Sequence, residues 1–149
     1  MRKLNLPEYD FRYRTEGGMR KVLDVYRKRF VVLTPEEEVR QRFARYLVEE
    51  KGFPAALVMT EYALKLNRMS RRCDILVHKP AGSPAVLVEC KAPEVKINQA
   101  VFDQAARYNL VFKVKYLMVT NGLKHYCCEI DFENEKISFL QDIPAFQDL

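Results

Sequence analysis

Apolar positions along this chain follow two periods, and the changes between them mark its elements. From 11 to 25, FRYRTEGGMRKVLDV alternates apolar and basic residues about Gly17-Gly18, which predicts a hairpin. RKRFVVL follows. Thr34 as N-cap, Pro35 at the first helical position and Glu37 as capping-box partner then open a helix over 34–52. Behind that start Val39, Phe43, Tyr46 and Leu47 repeat at helical spacing, and Gly52 closes the helix before Phe53-Pro54. Residues 57–66 read as a strand and NRMSRR (67–72) as a turn. CDILVHK and AVLVECKA read as strands joined by PAGSP, and Pro93 ends the second. A helix is expected over 95–111, with Ile97, Val101, Ala105 and Tyr108 on one face. KYLMVTNG and KHYCCEIDF form a hairpin at Asn121-Gly122, KISFL adds a last strand, and the tail QDIPAFQDL is irregular. Helices alternating with blocks of strands predict an α/β layered domain with a mixed sheet.

The 149 residues suit one domain with a real core. Apolar runs such as AVLV and FVVL are too short to span a bilayer, so no membrane association is expected. MRKLNLPEYDF lacks the apolar stretch of a secretory signal, and the expected location is cytoplasmic. Cys73, Cys90, Cys127 and Cys128 form no CxxC pair and read as reduced thiols. Adjacent Cys127 and Cys128 point to opposite faces of a strand, which argues against a zinc site with His125. His78 and His125 fit no metal spacing either, and the eight tyrosines read as core packing. The net charge of +5 is uneven: residues 1–30 hold nine Lys or Arg against four acids, and the rest holds sixteen of each sign. This basic stretch suits either a phosphate-binding surface or a solvated edge.

The chemistry concentrates in AVLVECKAPEV. Glu89 and Lys91, two apart in a strand, share a face, while Cys90 turns to the other layer. A hairpin centred near Ala81-Gly82 pairs residues whose numbers sum to 163, placing Asp74 opposite Glu89 with Cβ atoms about 4.5–5.5 Å apart. Two carboxylates that close need a counter-charge, and Mg²⁺ with its preference for carboxylate, water and phosphate oxygens suits the role. Lys91 could hold or deprotonate a water there, or neutralise charge on a phosphate. The competing reading is an ion pair at a strand end.

Further residues bear on this. Gln104 and Tyr108 share a helix face; the alternatives are a helix-edge Gln and a core Tyr. Glu36, Glu37 and Glu38 open the first helix, where capping and the macrodipole alone would favour them. Arg71 and Arg72 precede Asp74 and suit either phosphate contact or a solvated turn.

Asp74, then ECK (89–91), then QAARY (104–108) resembles the PD-(D/E)xK nuclease superfamily, in the branch with a QxxxY motif. The wider run over 70–130 is similar to the N-terminal nuclease domain of type I restriction enzyme R subunits, in its short stand-alone bacterial form. The resemblance implies a restriction-endonuclease-like α/β/α sandwich, a mixed central sheet flanked by helices, over residues 34–149. Residues 1–33 would form a basic N-terminal β-hairpin extension packed on it. It implies Mg²⁺-dependent DNA cleavage, with Mn²⁺ as a substitute ion. Asp74, Glu89 and the Cys90 carbonyl would bind metal, Lys91 would activate water, and Glu37 is the favoured helix glutamate, with Glu36 and Glu38 open. Gln104 and Tyr108 would contact the DNA backbone or organise the site. Expected partners are DNA and other restriction-modification or repair proteins. Two departures stand out: Cys73 occupies the usual proline position before the aspartate, and no GxxxxGK[ST] loop occurs, so no ATP-driven motor is expected. A nuclease fold that grips nucleic acid or a partner without cutting is the alternative.

Overall fold

In the computed structural model, described over residues 3–66 and 69–149, two sheets and two long helices account for most of the chain. The first sheet is an antiparallel meander of β1 (Tyr13–Glu16), β2 (Met19–Asp24) and β3 (Arg29–Val32). The expected hairpin thus gains a third strand, because RKRFVVL folds back on β2 with Val22 opposite Val31.

Helix α1 (Pro35–Glu49) follows. Thr34 Oγ1 accepts the Glu37 amide at 3.0 Å, as expected of the N-cap. The capping box is only half made, because the Glu37 carboxylate is engaged by side chains from elsewhere. The apolar stripe of Val39, Phe43 and Leu47 is fully buried.

The main sheet orders its six strands as β4 (Val58–Leu66), β5 (Met69–His78), β6 (Pro84–Cys90), β7 (Tyr116–Thr120), β8 (His125–Asp131) and β9 (Lys136–Leu140). Only β6 and β7 run parallel, joined by the crossover helix α2 (Gln99–Phe112). The sheet is mixed, as expected. One expectation is overturned: NRMSRR is not a turn throughout, since Met69–Arg72 belongs to β5 and pairs with Ala63–Leu66. Residues 67 and 68 lie outside the described residues.

Two apolar layers cover the main sheet. The α1 side gathers Val39, Phe43, Leu47, Ile75, Val77, Val86, Val88, Cys90 and Met118; the α2 side gathers Cys73, Leu76, Leu87, Ala105, Leu117, Val119 and Cys128. Cys127 and Cys128 fall on opposite layers, as alternation requires. Cys73 and Leu76, three apart, share a layer, so β5 turns over between them, at the position of Asp74.

Candidate active site

The β5–β6 register follows the sum expected from the turn, with Ile75 opposite Val88, Leu76 opposite Leu87 and Val77 opposite Val86. Beyond Ile75 the regular ladder gives way to a side-chain bond: the Cys90 amide donates to Asp74 Oδ2 at 2.8 Å. Asp74 is thereby fixed against the end of β6. Lys91 continues the chain there, its amide donating to the Thr120 carbonyl at 2.8 Å, and its Nζ lies 3.3 Å from Glu89 Oε1. Glu89 exposes only 18% of its side chain. Burial first, and the Asp74 charge second, push its carboxyl up to about 7 against the opposing pull of Lys91. A carboxyl so raised is one whose ionised form is poorly solvated and sits beside a like charge.

On the far side of Asp74 stands Arg40, from α1. Its side chain is 6% exposed, and Nη2 lies 2.8 Å from Asp74 Oδ1, 2.8 Å from Glu61 and 3.6 Å from Glu36, while Nη1 is 2.7 Å from Glu37. Burial opposes its charge, but the Asp74 and Glu37 carboxylates outweigh burial and hold the guanidinium protonated. Glu61 reaches this position from a distorted strand. Thr60 pairs with Ile75 and Tyr62 with Cys73, but Glu61 and Asp74 between them do not pair, and Glu61 has φ +49°. A left-handed residue without glycine's freedom costs about 1–2 kcal/mol and is uncommon within a strand.

The three helix glutamates separate clearly. Glu37 is buried and fully engaged, Oε1 accepting from Arg27 and Arg40 at 2.7 Å each and Oε2 from Gln41 at 3.1 Å. It braces arginines rather than facing an open site. Glu36, with 47% of its side chain exposed, has its carboxyl raised by burial and then by the charge of Asp74, with Arg40 and Lys91 pulling it down. Its surroundings, unlike those of Glu37, are the cluster itself. Glu38 is half-buried within 4.0 Å of Arg42.

A second buried network extends the first. Asp24 is fully buried at the end of β2, where Oδ1 accepts the Tyr26 and Arg27 amides at 2.8 and 3.0 Å. Its Oδ2 accepts from Thr60 of β4 at 2.7 Å and from Arg27 Nε. Burial raises its carboxyl, yet the bonds from Arg27 and Thr60 outweigh that and leave it lowered. Asp24, Arg27, Glu37, Arg40 and Asp74 thus form one hydrogen-bonded chain from the N-terminal sheet to the end of β6. Around it, Arg27, Arg40, Arg72 and Lys91 face Asp24, Glu36, Glu37, Glu61, Asp74 and Glu89, a formal surplus of two negative charges on a chain that is +5 overall.

A family profile for the type I restriction enzyme R protein N terminus (HSDR_N) matches residues 35–144. The chain belongs to that family. Among solved structures, a fragment assigned as an HsdR subunit of a type I restriction enzyme from Vibrio vulnificus YJ016 shares the fold, with a TM-score of 0.54 at 20% identity. The likeness covers 76% of this chain and 24% of that one. No curated protein matches this chain in sequence. The R-protein profile begins at the first helix, so β1–β3 lie outside the matched span while Asp74, Glu89 and Lys91 lie within it.

Four further residues, Gln104, Tyr108, Arg71 and Arg72, were expected to meet nucleic acid. Gln104 is exposed on α2 and forms no hydrogen bond to the cluster among the described residues. Among the described side chains of that helix the buried polar one is Asn109, which bonds both the amide and the carbonyl of Val114. The side chains of Tyr108 and Arg71 lie outside the described residues. Arg72 is exposed and lies 3.4 Å from Glu61, which links it to Arg40. Glu61, Asp24 and Arg27 carry much of the site's electrostatics without having been singled out in the sequence. The one available signal was the presence of a basic residue, Arg40, on the helix face of Glu36 and Glu37. Among the described residues, no group of three or more His, Cys, Asp or Glu is arranged to hold a metal by itself. No helix among them is long and apolar enough to cross a membrane.

Proposed function

We propose that this protein is a divalent-cation-dependent DNA nuclease module, hydrolysing phosphodiester bonds at Asp74, Glu89 and Lys91. The observation that carries the reading is the raised carboxyl of Glu89 beside Asp74, with Lys91 Nζ 3.3 Å away. Two adjacent carboxylates, of which Glu89 is raised by burial and by the charge of Asp74, are a donor set that suits a hard cation. Asp74, Glu89 and the Cys90 carbonyl would hold Mg²⁺, or Mn²⁺ in its place, with Glu36 in place of Glu37 as the helix carboxylate reaching it. The ion would supply Lewis acidity to the scissile phosphate and its attacking water.

The protein's own groups do the rest. Lys91 orients the water from the Glu89 side and offsets negative charge on the phosphate as attack proceeds. The Cys90 amide keeps Asp74 in a single orientation at the strand end. Arg40 stands as counter-charge to Asp74, and its bonds to Glu37 and Glu61 would keep it in place beside a cation held by Asp74. Arg72, exposed beside Glu61, would meet the DNA backbone. Activity within a larger restriction-modification assembly is part of this reading, on the strength of the family.

A second reading, a nuclease fold that binds nucleic acid without cutting, is favoured by one contact, the 2.8 Å bond that already neutralises Asp74 from Arg40. Supercoiled plasmid incubated with Mg²⁺ or Mn²⁺ separates the two. Wild type should nick it, with Asp74→Ala and Lys91→Ala slower by at least about 100-fold. Equal rates in all three would overturn the assignment, and salt-dependent binding without cleavage by wild type would establish the second reading.

A further inference from the structure

The N-terminal sheet has an inner and an outer face. Val22 and Asp24 are buried, which turns the even positions of β2 inward. Tyr13 and Val31, both opposite Val22, face inward with it. Alternation then puts Arg12, Arg14, Lys21, Phe30 and Val32 on the outer face. The 4.2 Å stacking of the Arg14 guanidinium on the Phe30 ring, from β1 across to β3, places those two side chains there directly.

This outer face opposes like charges. Arg14 and Lys21 are direct cross-strand partners, an arrangement that is destabilising unless a counter-charge is shared. Glu16 is the acid that serves both, 2.9 Å from Arg14 and 3.9 Å from Lys21, which leaves the face with excess positive charge. Arg12 and Arg14 are exposed, as is Val32. Lys28 is exposed at the β2–β3 turn, in the left-handed conformation at φ +57°.

The same turn is bolted to the candidate site. Arg27, next to Lys28, bonds Glu37, which bonds Arg40, which bonds Asp74; Asp24 bonds Thr60 of β4. The basic face is therefore held in fixed relation to the carboxylate cluster, and it extends from it for the length of β2, about 20 Å at 3.4 Å per residue.

We infer that the outer face of the β1–β3 sheet is a docking surface for the phosphate backbone of duplex DNA, with Arg12, Arg14 and Lys21 as its contacts. This rests on the nuclease reading for its substrate, but concerns a surface outside the span shared with the family. Arg14 already covers the half-buried ring of Phe30, so the face offers charge rather than a platform for unstacked bases. Contact is consequently to backbone and independent of sequence.

The test is fluorescence anisotropy with a labelled 20-base-pair duplex in EDTA, where cleavage does not occur. Three proteins are compared: wild type, Arg12→Ala/Arg14→Ala/Lys21→Ala, and a control with Lys113, Lys115 and Lys136 changed to Ala at the far end of the main sheet. The outer-face variant should bind at least about tenfold more weakly and lose about two to three from the log–log salt slope, with the control close to wild type. Thermal melting of each checks folding, and Arg→Lys changes at 12 and 14 should restore most of the affinity. Equal weakening in both triple variants, or no weakening in the first, would overturn the inference. Binding by wild type to RNA or an acidic protein but not to DNA would overturn it as well. Plasmid nicking by the same proteins separates this outcome from the nuclease reading, since wild type that binds through this face in EDTA yet never nicks with Mg²⁺ would overturn that reading alone.

Discussion

Asp74 and Glu37 show how differently two carboxylates on the same network are used. Asp74 lies within β5 and is held against the end of β6 next to Glu89 and Lys91, whereas Glu37 is spent entirely on Arg27, Arg40 and Gln41. Glu37→Gln should therefore act on stability, costing about 3 kcal/mol by leaving buried guanidinium groups short of charge, measured by chemical denaturation. Glu36→Gln should leave denaturation unchanged and weaken Mn²⁺ binding by at least about fivefold in calorimetry, the size of losing one partly exposed carboxylate near the ion. The register from Ile75–Val88 to Val77–Val86 was legible because a strand period of two and a short turn fix which residues oppose each other, whereas the break in the ladder at Asp74 was not. The choice among Glu36, Glu37 and Glu38 was not, since capping favours any acid in a first turn and says nothing about an arginine arriving from residue 27. The thiols illustrate the same scale: burial pushes Cys73 and Cys127 up to about 12 and Cys128 up to about 11. Native protein should accordingly react with a thiol-specific chromogenic reagent only after unfolding.

Among the elements, the β7–β8 hairpin was the most legible, and Asn121-Gly122 explains why. Asn121 Oδ1 accepts the amides of Leu123 and Lys124, and its Nδ2 donates to the Val95 carbonyl, tying the hairpin to the loop that leaves the candidate site. Gly122 has φ +85°, and a Cβ there would lie 3.0 Å from Leu4 and 3.1 Å from Val39. Gly122→Ala should cost about 1–2 kcal/mol, read as a lowered melting temperature by circular dichroism. Helix α2 was legible as an element but its polar face was not. Gln104 drew notice as a polar residue near apolar ones, yet Asn109 is the one buried, because it closes the helix onto Val114. That bond is made to a backbone beyond the helix, which periodicity within the helix does not reveal. Residues 69–72 misled in a similar way: their polar side chains resemble a turn, while their backbone pairs with β4.

For the molecule as a whole, the sequence exposed an excess of basic residues in 1–30, and the structure gives that charge a place. The N-terminal sheet is not a loose arm, because Asp24 bonds it to β4 and, through Arg27, to α1. These contacts join residues tens of positions apart, beyond the range of any local pattern. The lowered carboxyl of Asp24 sets the sign of a pH effect. Its contribution to stability is fully present above its ordinary value of 3.8 and is lost as pH falls through the lower folded value. The gap in unfolding free energy between wild type and Asp24→Asn should be constant near neutrality and narrow below pH 3.8, as followed by urea titration at a series of pH values. An acidic site in a basic protein also concentrates cations at one point of a surface that attracts polyanions.

The central claim, that a divalent ion binds between Asp74 and Glu89 in place of part of Arg40's charge, is tested most directly by crystals soaked in Mn²⁺. An anomalous difference peak within coordination distance of both carboxylates, with Arg40 withdrawn from Asp74 Oδ1, is the result expected. Crystals in which Arg40 keeps its bond to Asp74 and no peak appears there at saturating Mn²⁺ would contradict it.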